Sequence, residues 1–96
     1  MTDAMARSRP TIVLVHGAFA DSSSWNDVIK TLRAHGYPVV AAANPLRSVA
    51  SDTASLASLL AGIEGPLVLV GHSYGGMLIS NAATGNAAVH ALVFVA

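Results

Sequence analysis

Four short apolar runs, rich in β-branched residues, recur along the chain at positions 11–15, 38–43, 67–70 and 91–95. None alternates apolar with polar residues as a strand with one wet face would, so each reads as a parallel strand covered on both sides. The strands begin near 12, 39, 67 and 91, about 24 to 28 residues apart, the size of one strand-helix unit, with no sequence repeat accompanying that pitch. Between them lie helical stripes. Trp25, Val28, Ile29 and Leu32 fall at i, i+3, i+4 and i+7, and so do Leu56, Leu59, Leu60 and Ile63. Ser24 with Asp27 resembles a capping box at the first helix start, so Ser22, Ser23 and Ser24 read as capping residues rather than catalytic ones. Gly36 is placed to end that helix in the left-handed conformation. A third helix, from Gly75 to about Thr84, is apolar on most sides at its start and is predicted to pack deep against a sheet. This alternation predicts an α/β class: a doubly wound parallel sheet of about four strands with flanking helices and right-handed crossovers. Residues 1–9 are polar and patternless, a predicted mobile tail, and Pro10 opens the folded portion, residues 10–96.

A content of 53% apolar against 10% charged residues excludes a disordered chain. Five basic and five acidic residues cancel and no like-charge run occurs, which argues against a nucleic-acid or membrane partner. There is no cysteine, and the histidines are scattered at 16, 35, 72 and 90, so neither a metal nor another cofactor is expected. A cytoplasmic setting fits the lack of cysteine at least as well as a secreted one. No Asp, Glu, Lys or Arg occurs from Gly65 to Ala96, but Gly71, His72, Ser73, Gly75 and Gly76 break the stretch, and Asn81, Thr84, Gly85 and Asn86 break it again. No continuous apolar segment long enough to span a membrane survives. Arg7 and Arg9 before Ile12–Val15 imitate a signal peptide, yet the apolar core is too short and reads better as a strand.

The chemistry-bearing signal is Gly71-His72-Ser73-Tyr74-Gly75, followed by Gly76, between an apolar strand and an apolar helix. The G-x-S-x-G spacing is that of a nucleophile elbow. A serine on a sharp, strained turn needs glycine two residues before and two after it, so that strand and helix can approach. The helix then directs its first N–H groups and positive dipole end at the same spot. A second element, His16-Gly17-Ala18-Phe19, directly follows the first strand. Together the two predict an oxyanion hole with the backbone N–H of Tyr74 and of Ala18 as donors. Phosphate-cradling motifs are absent: there is no G-x-G-x-x-G and no Gly-Lys-Ser/Thr.

The stretch Thr11-Ile-Val-Leu-Val-His-Gly-Ala-Phe, then Ser-Trp, Gly36-Tyr-Pro-Val and Leu67-Val-Leu-Val-Gly-His-Ser-Tyr-Gly-Gly resembles the α/β-hydrolase superfamily. The likeness is to its branch of small esterases, which includes plant salicylate methyl esterases and hydroxynitrile lyases. It covers about residues 10–96 but only the N-terminal part of the family fold. By position, the resemblance implies Ser73 as the nucleophile, Ala18 and Tyr74 as oxyanion donors, and His16 and Gly17 as the supporting turn. It also implies that the first and third strands are neighbours at the sheet centre, where ligands gather at a topological switch point.

The chain departs from the family pattern after the serine. The triad order is Ser, then Asp or Glu, then His, yet no acidic residue follows Ser73. The one later histidine, His90, lies at the amino end of the fourth strand, opposite the catalytic edge. The sequence therefore reads as the amino-terminal half of a hydrolase, with acid and base supplied from beyond residue 96. Alone it is expected to lose on the order of 10⁶ in turnover. His72 and His16 read as supporting residues, His35 as a helix-end residue, Asp21 and Asp52 as loop and helix-start residues, and Trp25 as core. The expected reaction is serine hydrolysis of a small uncharged ester in the full-length parent, through an acyl-enzyme. The alternatives are a lyase using the same serine, or a silent or partner-completed fragment. An apolar last strand could also drive self-association.

Overall fold

The computed structural model describes residues 9–17 and 25–96. Strands β1 (Thr11–Val15), β2 (Val39–Ala42), β3 (Leu67–His72) and β4 (Val89–Val95) alternate with helices α1 (Asn26–Ala34), α2 (Val49–Ala61) and α3 (Tyr74–Ala82). The four strands form one sheet in the order β2-β1-β3-β4, and every pairing is parallel. This is the expected α/β architecture, with the first and third strands adjacent at the centre. In register, Val15 pairs with Ala42 on one side and with Gly71 on the other, so β1, β2 and β3 all end at the same sheet edge.

The pleat sends alternate residues to two cores. Val13, Val15, Leu67, Leu69 and Ala42 meet Leu56 and Leu60 of α2 and Leu78, Ile79 and Ala82 of α3 on one face. Ile12, Leu14 and Val39 meet Trp25 on the other, with Ile29, Leu32, Val68 and Val70 packed around them. The sheet is thus covered by α2 and α3 on one side and by α1 on the other. Helix α3 is the most deeply set, burying Gly75, Gly76, Leu78, Ile79 and Ala82. That burial explains its apolar start except at Met77, which is exposed.

Local signals fix the helix ends. Helix α1 closes as expected: Gly36 has φ of 85°, its N–H donates to the Arg33 carbonyl, and Tyr37 N–H donates to the Leu32 carbonyl. That pair of bonds is a Schellman closure, which needs a left-handed residue at Gly36. Helix α2 starts on Ser48, whose Oγ accepts from Ser51 N–H at 3.0 Å.

Three expectations need correction. The α1 cap position is Trp25, with no side-chain cap bond, while Ser22, Ser23 and Ser24 lie outside the described residues. Val28 on the α1 stripe and Leu59 on the α2 stripe are 40% and 36% exposed, because Trp25, Ile29 and Leu32 in the one case and Leu56 and Leu60 in the other suffice to meet the sheet. Strand β4 is not covered on both faces: Val93 and Val95, on the α1 side of the sheet, are exposed because β4 is an edge strand beyond the reach of α1, and Phe94, on the α3 side, is exposed as well. Of the polar stretch 1–9, residues 1–8 lie outside the described residues; Arg9 donates to the His35 carbonyl and sits over the Tyr37 ring. No described helix is long and apolar enough to cross a membrane.

Candidate functional site

Ser73 stands between β3 and α3, at the carboxyl edge of the sheet. Its φ of 55° and ψ of −115° lie in a region that residues bearing a Cβ rarely occupy, and its side chain is exposed. Ser73 N–H donates to the Val95 carbonyl at 2.8 Å and its own carbonyl accepts from Gly76 N–H at 2.9 Å. Both sides of the peptide turn are thereby held, and no side-chain cap bond occupies the hydroxyl.

Two of the glycines around it, Gly71 and Gly75, are required by backbone contact. A Cβ on Gly71 would stand 2.6 Å from the Gly75 carbonyl oxygen and the Gly76 nitrogen, so strand and helix could not meet. A Cβ on Gly75 would run into the carbonyl oxygens of Val15 and His16, so α3 could not sit against the end of β1. Gly76 faces the ring of Phe94, where a Cβ would stand 3.0 Å from Cδ1. A Cβ on Gly17 would stand 3.1 Å from His72 Nδ1 and 3.5 Å from Ser73 Cβ, which brings the turn after β1 into contact with the serine. The sequence motif at 71–76 and the His16-Gly17 element therefore converge on one place. Ala18, the other expected oxyanion donor, lies outside the described residues, as do Phe19 and Asp21. Tyr74 is the first residue of α3, so its N–H has no partner within the helix and stands at the positive end of the dipole.

His16 is 3% exposed and fully engaged. Its Nε2 accepts from Asn44 N–H at 3.0 Å, so the proton resides on Nδ1, which donates to the Gly17 carbonyl at 2.8 Å. The Asn44 amide also donates to the His16 carbonyl at 3.4 Å. The ring ties the turn after β1 to the loop after β2. His72 lies half-buried, edge-on to Trp25 with ring centroids 6.3 Å apart, and Trp25 itself is buried. His35 is the cap residue of α1, and its Nδ1 lies 2.8 Å from the Thr31 carbonyl oxygen. His90 is exposed near the start of β4, five residues before Val95 and so about 16 Å along the strand from the edge that bears Ser73.

One residue of this neighbourhood was not singled out by its sequence. Asp52, expected only as a helix-start residue, is 1% exposed and accepts from the Tyr74 hydroxyl at 2.6 Å on Oδ2 and from Arg47 N–H at 3.0 Å on Oδ1. Burial pushes its carboxyl upward, but the Tyr74 bond, the Arg47 and Ser48 amides and the Arg47 charge outweigh it and hold the group below its ordinary value. The Tyr74 phenol is raised in turn, by its bond to Asp52, by burial and by the carboxylate charge. A signal was present: Asp52 lies four residues before Leu56 and eight before Leu60, on the apolar stripe of α2, where an unpaired carboxylate would be costly. Among the described residues no group of three His, Asp or Glu side chains gathers to hold a metal.

The model of the alpha/beta hydrolase family matches residues 12–96. The chain belongs to that family. Among solved structures it is similar to an extracellular α/β-hydrolase from a Paenibacillus species, described as sharing structural and functional homology with tobacco salicylic acid binding protein 2. The TM-score is 0.79 at 24% identity, over 88% of this chain and 39% of that one. It is also similar to the pyrethroid hydrolase PytH, with a TM-score of 0.75 at 30% identity over 88% of this chain and 38% of that one. No curated protein matches the chain. The chain spans about two fifths of the length of the solved structures it resembles.

Proposed function

We propose that this chain carries the nucleophile half of a serine hydrolase that cleaves small uncharged esters through an acyl-enzyme. The observation that carries the reading is the Ser73 backbone, at φ 55° and ψ −115°, with an exposed side chain between β3 and α3. In this reading the Ser73 hydroxyl attacks the ester carbonyl, and the amides of Tyr74 and Ala18 hold the resulting oxyanion. The proton leaves Ser73 for a histidine other than the four of this stretch: His16 is consumed by Asn44 and Gly17, His72 packs edge-on against Trp25, His35 closes α1, and His90 stands at the far end of β4. Base and orienting acid then come from outside this stretch, in the same polypeptide or in a partner. The neighbour named a pyrethroid hydrolase supports hydrolysis over the lyase alternative. A cytoplasmic setting is part of the proposal.

The test is covalent labelling of the full-length gene product with a fluorophosphonate, read by peptide mass spectrometry. An adduct on Ser73, absent in Ser73→Ala, is the expected result. Ester turnover by Ser73→Ala within tenfold of the parent would overturn the proposal. The isolated 96-residue polypeptide is expected to turn over esters on the order of 10⁶-fold more slowly than the completed enzyme.

A further inference from the structure

Tyr74 follows Ser73, so its backbone is the piece of chain that must be positioned best if its N–H is to meet an oxyanion. Its side chain has two ways to go, into the space in front of the serine or back onto the fold. It goes back. The phenol donates to Asp52 on α2, and the second oxygen of that carboxylate is taken by Arg47 N–H. Asp52 therefore joins the start of α3 to the loop between β2 and α2. The same loop holds the turn after β1 from its other end, through the Asn44 N–H on His16 and the His16 Nδ1–H on the Gly17 carbonyl. That carbonyl belongs to the same planar peptide group as the amide of the residue after it. Leu46, with φ of 59°, and its N–H bond to Asn44 Oδ1 at 3.3 Å shape the loop between these two attachments. The loop between β2 and α2, residues 43–48, thus connects both backbone segments beside the serine.

We propose that Asp52 is a positioning residue for the elbow, holding the Tyr74 phenol so that the Tyr74 amide stays aimed at the place where charge develops on the substrate. This rests on the reading of Ser73 as nucleophile. It goes beyond that reading by assigning a catalytic consequence to a buried acid that lies before the serine in the chain and is not part of its triad. The carboxylate exchanges no proton with substrate; it accepts one hydrogen bond from the phenol and one from Arg47 N–H throughout.

The experiment compares the full-length gene product with Tyr74→Phe, Asp52→Asn and the double variant. Tyr74→Phe removes one oxygen and keeps the packing, so it reports even where Asp52→Asn folds poorly. The readouts are the fluorophosphonate labelling rate, kcat and KM on a nitrophenyl ester, and ultraviolet titration of the phenol in a background from which Tyr37 and any other tyrosine besides Tyr74 has been removed. Each single variant is expected to lower labelling and kcat by about 10- to 100-fold with KM within about threefold, because misplacing a catalytic group by an ångström costs that much. The double variant should lose no more than the worse single one, since both remove the same contact. Asp52→Asn should also bring the phenol titration down towards its ordinary value. Labelling and kcat within twofold of the parent in Tyr74→Phe would overturn the proposal and leave the Ser73 reading standing. Absence of a Ser73 adduct in the parent itself would remove the Ser73 reading, and the proposal with it.

Discussion

At Ser73 the torsions φ 55° and ψ −115° put a residue with a Cβ where glycine is the usual occupant, at a cost of about 1–3 kcal/mol. The surrounding contacts enforce the conformation: Val95 holds the serine N–H, Gly76 holds its carbonyl, and the end of β1 presses on Gly75. Ser73→Gly should therefore make the protein more stable by about 1 kcal/mol, the released strain less the extra freedom glycine gains in the unfolded chain. Ser73→Ala keeps the Cβ and should change stability by less than about 0.5 kcal/mol. Urea unfolding of the three proteins checks both; equal midpoints for the glycine and alanine variants would mean that no strain resides at the turn. The same residue scale explains what the sequence could say about the site. Gly71 and Gly75 were readable because a Cβ at either would collide with backbone, so the motif is a steric requirement written as residue types. The place of Asp52 on the apolar stripe of α2 signals that it needs a partner but not which one, and an acid in a first helical turn already has a sufficient reason in the helix dipole. Its partner stands 22 residues away, and only the fold brings them together.

Among the elements, α2 and α3 share a face of the sheet, and the Asp52–Tyr74 bond joins them at the end where Ser73 stands. The bond couples two titrations of opposite sign. The Asp52 carboxyl is held below its ordinary value of 3.8, so its contribution to stability is fully present above that pH and is lost as pH falls through the lowered value. The Tyr74 phenol is raised above 10.0, so its contribution is fully present below that pH and is lost as pH rises through the raised value. The stability gap between the parent and Tyr74→Phe should accordingly be widest between pH 3.8 and 10.0 and narrow beyond either limit. Thermal midpoints of the two proteins across that range test this, and a gap independent of pH would show that the hydroxyl contributes packing alone. Element types and order were legible because periodicity reports which face of a segment is apolar. Whether anything covers that face is a different question, and it is where Val28 and β4 depart from expectation. The stripe of α1 includes Val28, yet the sheet is met by its neighbours on the stripe.

For the molecule as a whole, the sheet has two unlike edges. Strand β2 is four residues long and half-buried, whereas β4 is seven residues long and carries no charged Asp, Glu, Lys or Arg and no proline. Pairing with β3 uses only one side of β4, so its other side presents unpaired backbone groups beside exposed Val93, Phe94 and Val95. Such an edge is a template for another strand. The α1 face of the sheet adds to it, because Val93 and Val95 share that face with Val70 and His72 and no described helix lies over them. The 96-residue polypeptide should therefore self-associate through β4, with an apparent mass that rises with concentration in sedimentation experiments. Val93→Lys places a charge on the edge without touching the elbow, since Val93 pairs with Val70 two residues before the register of Val95 with His72. It should shift the distribution towards monomer, as edge lysines do in natural sheets. A parent polypeptide that stays monomeric over a hundredfold range of concentration would show instead that the edge is protected. Self-association unaffected by Val93→Lys would place the contact away from the Val93 face of β4.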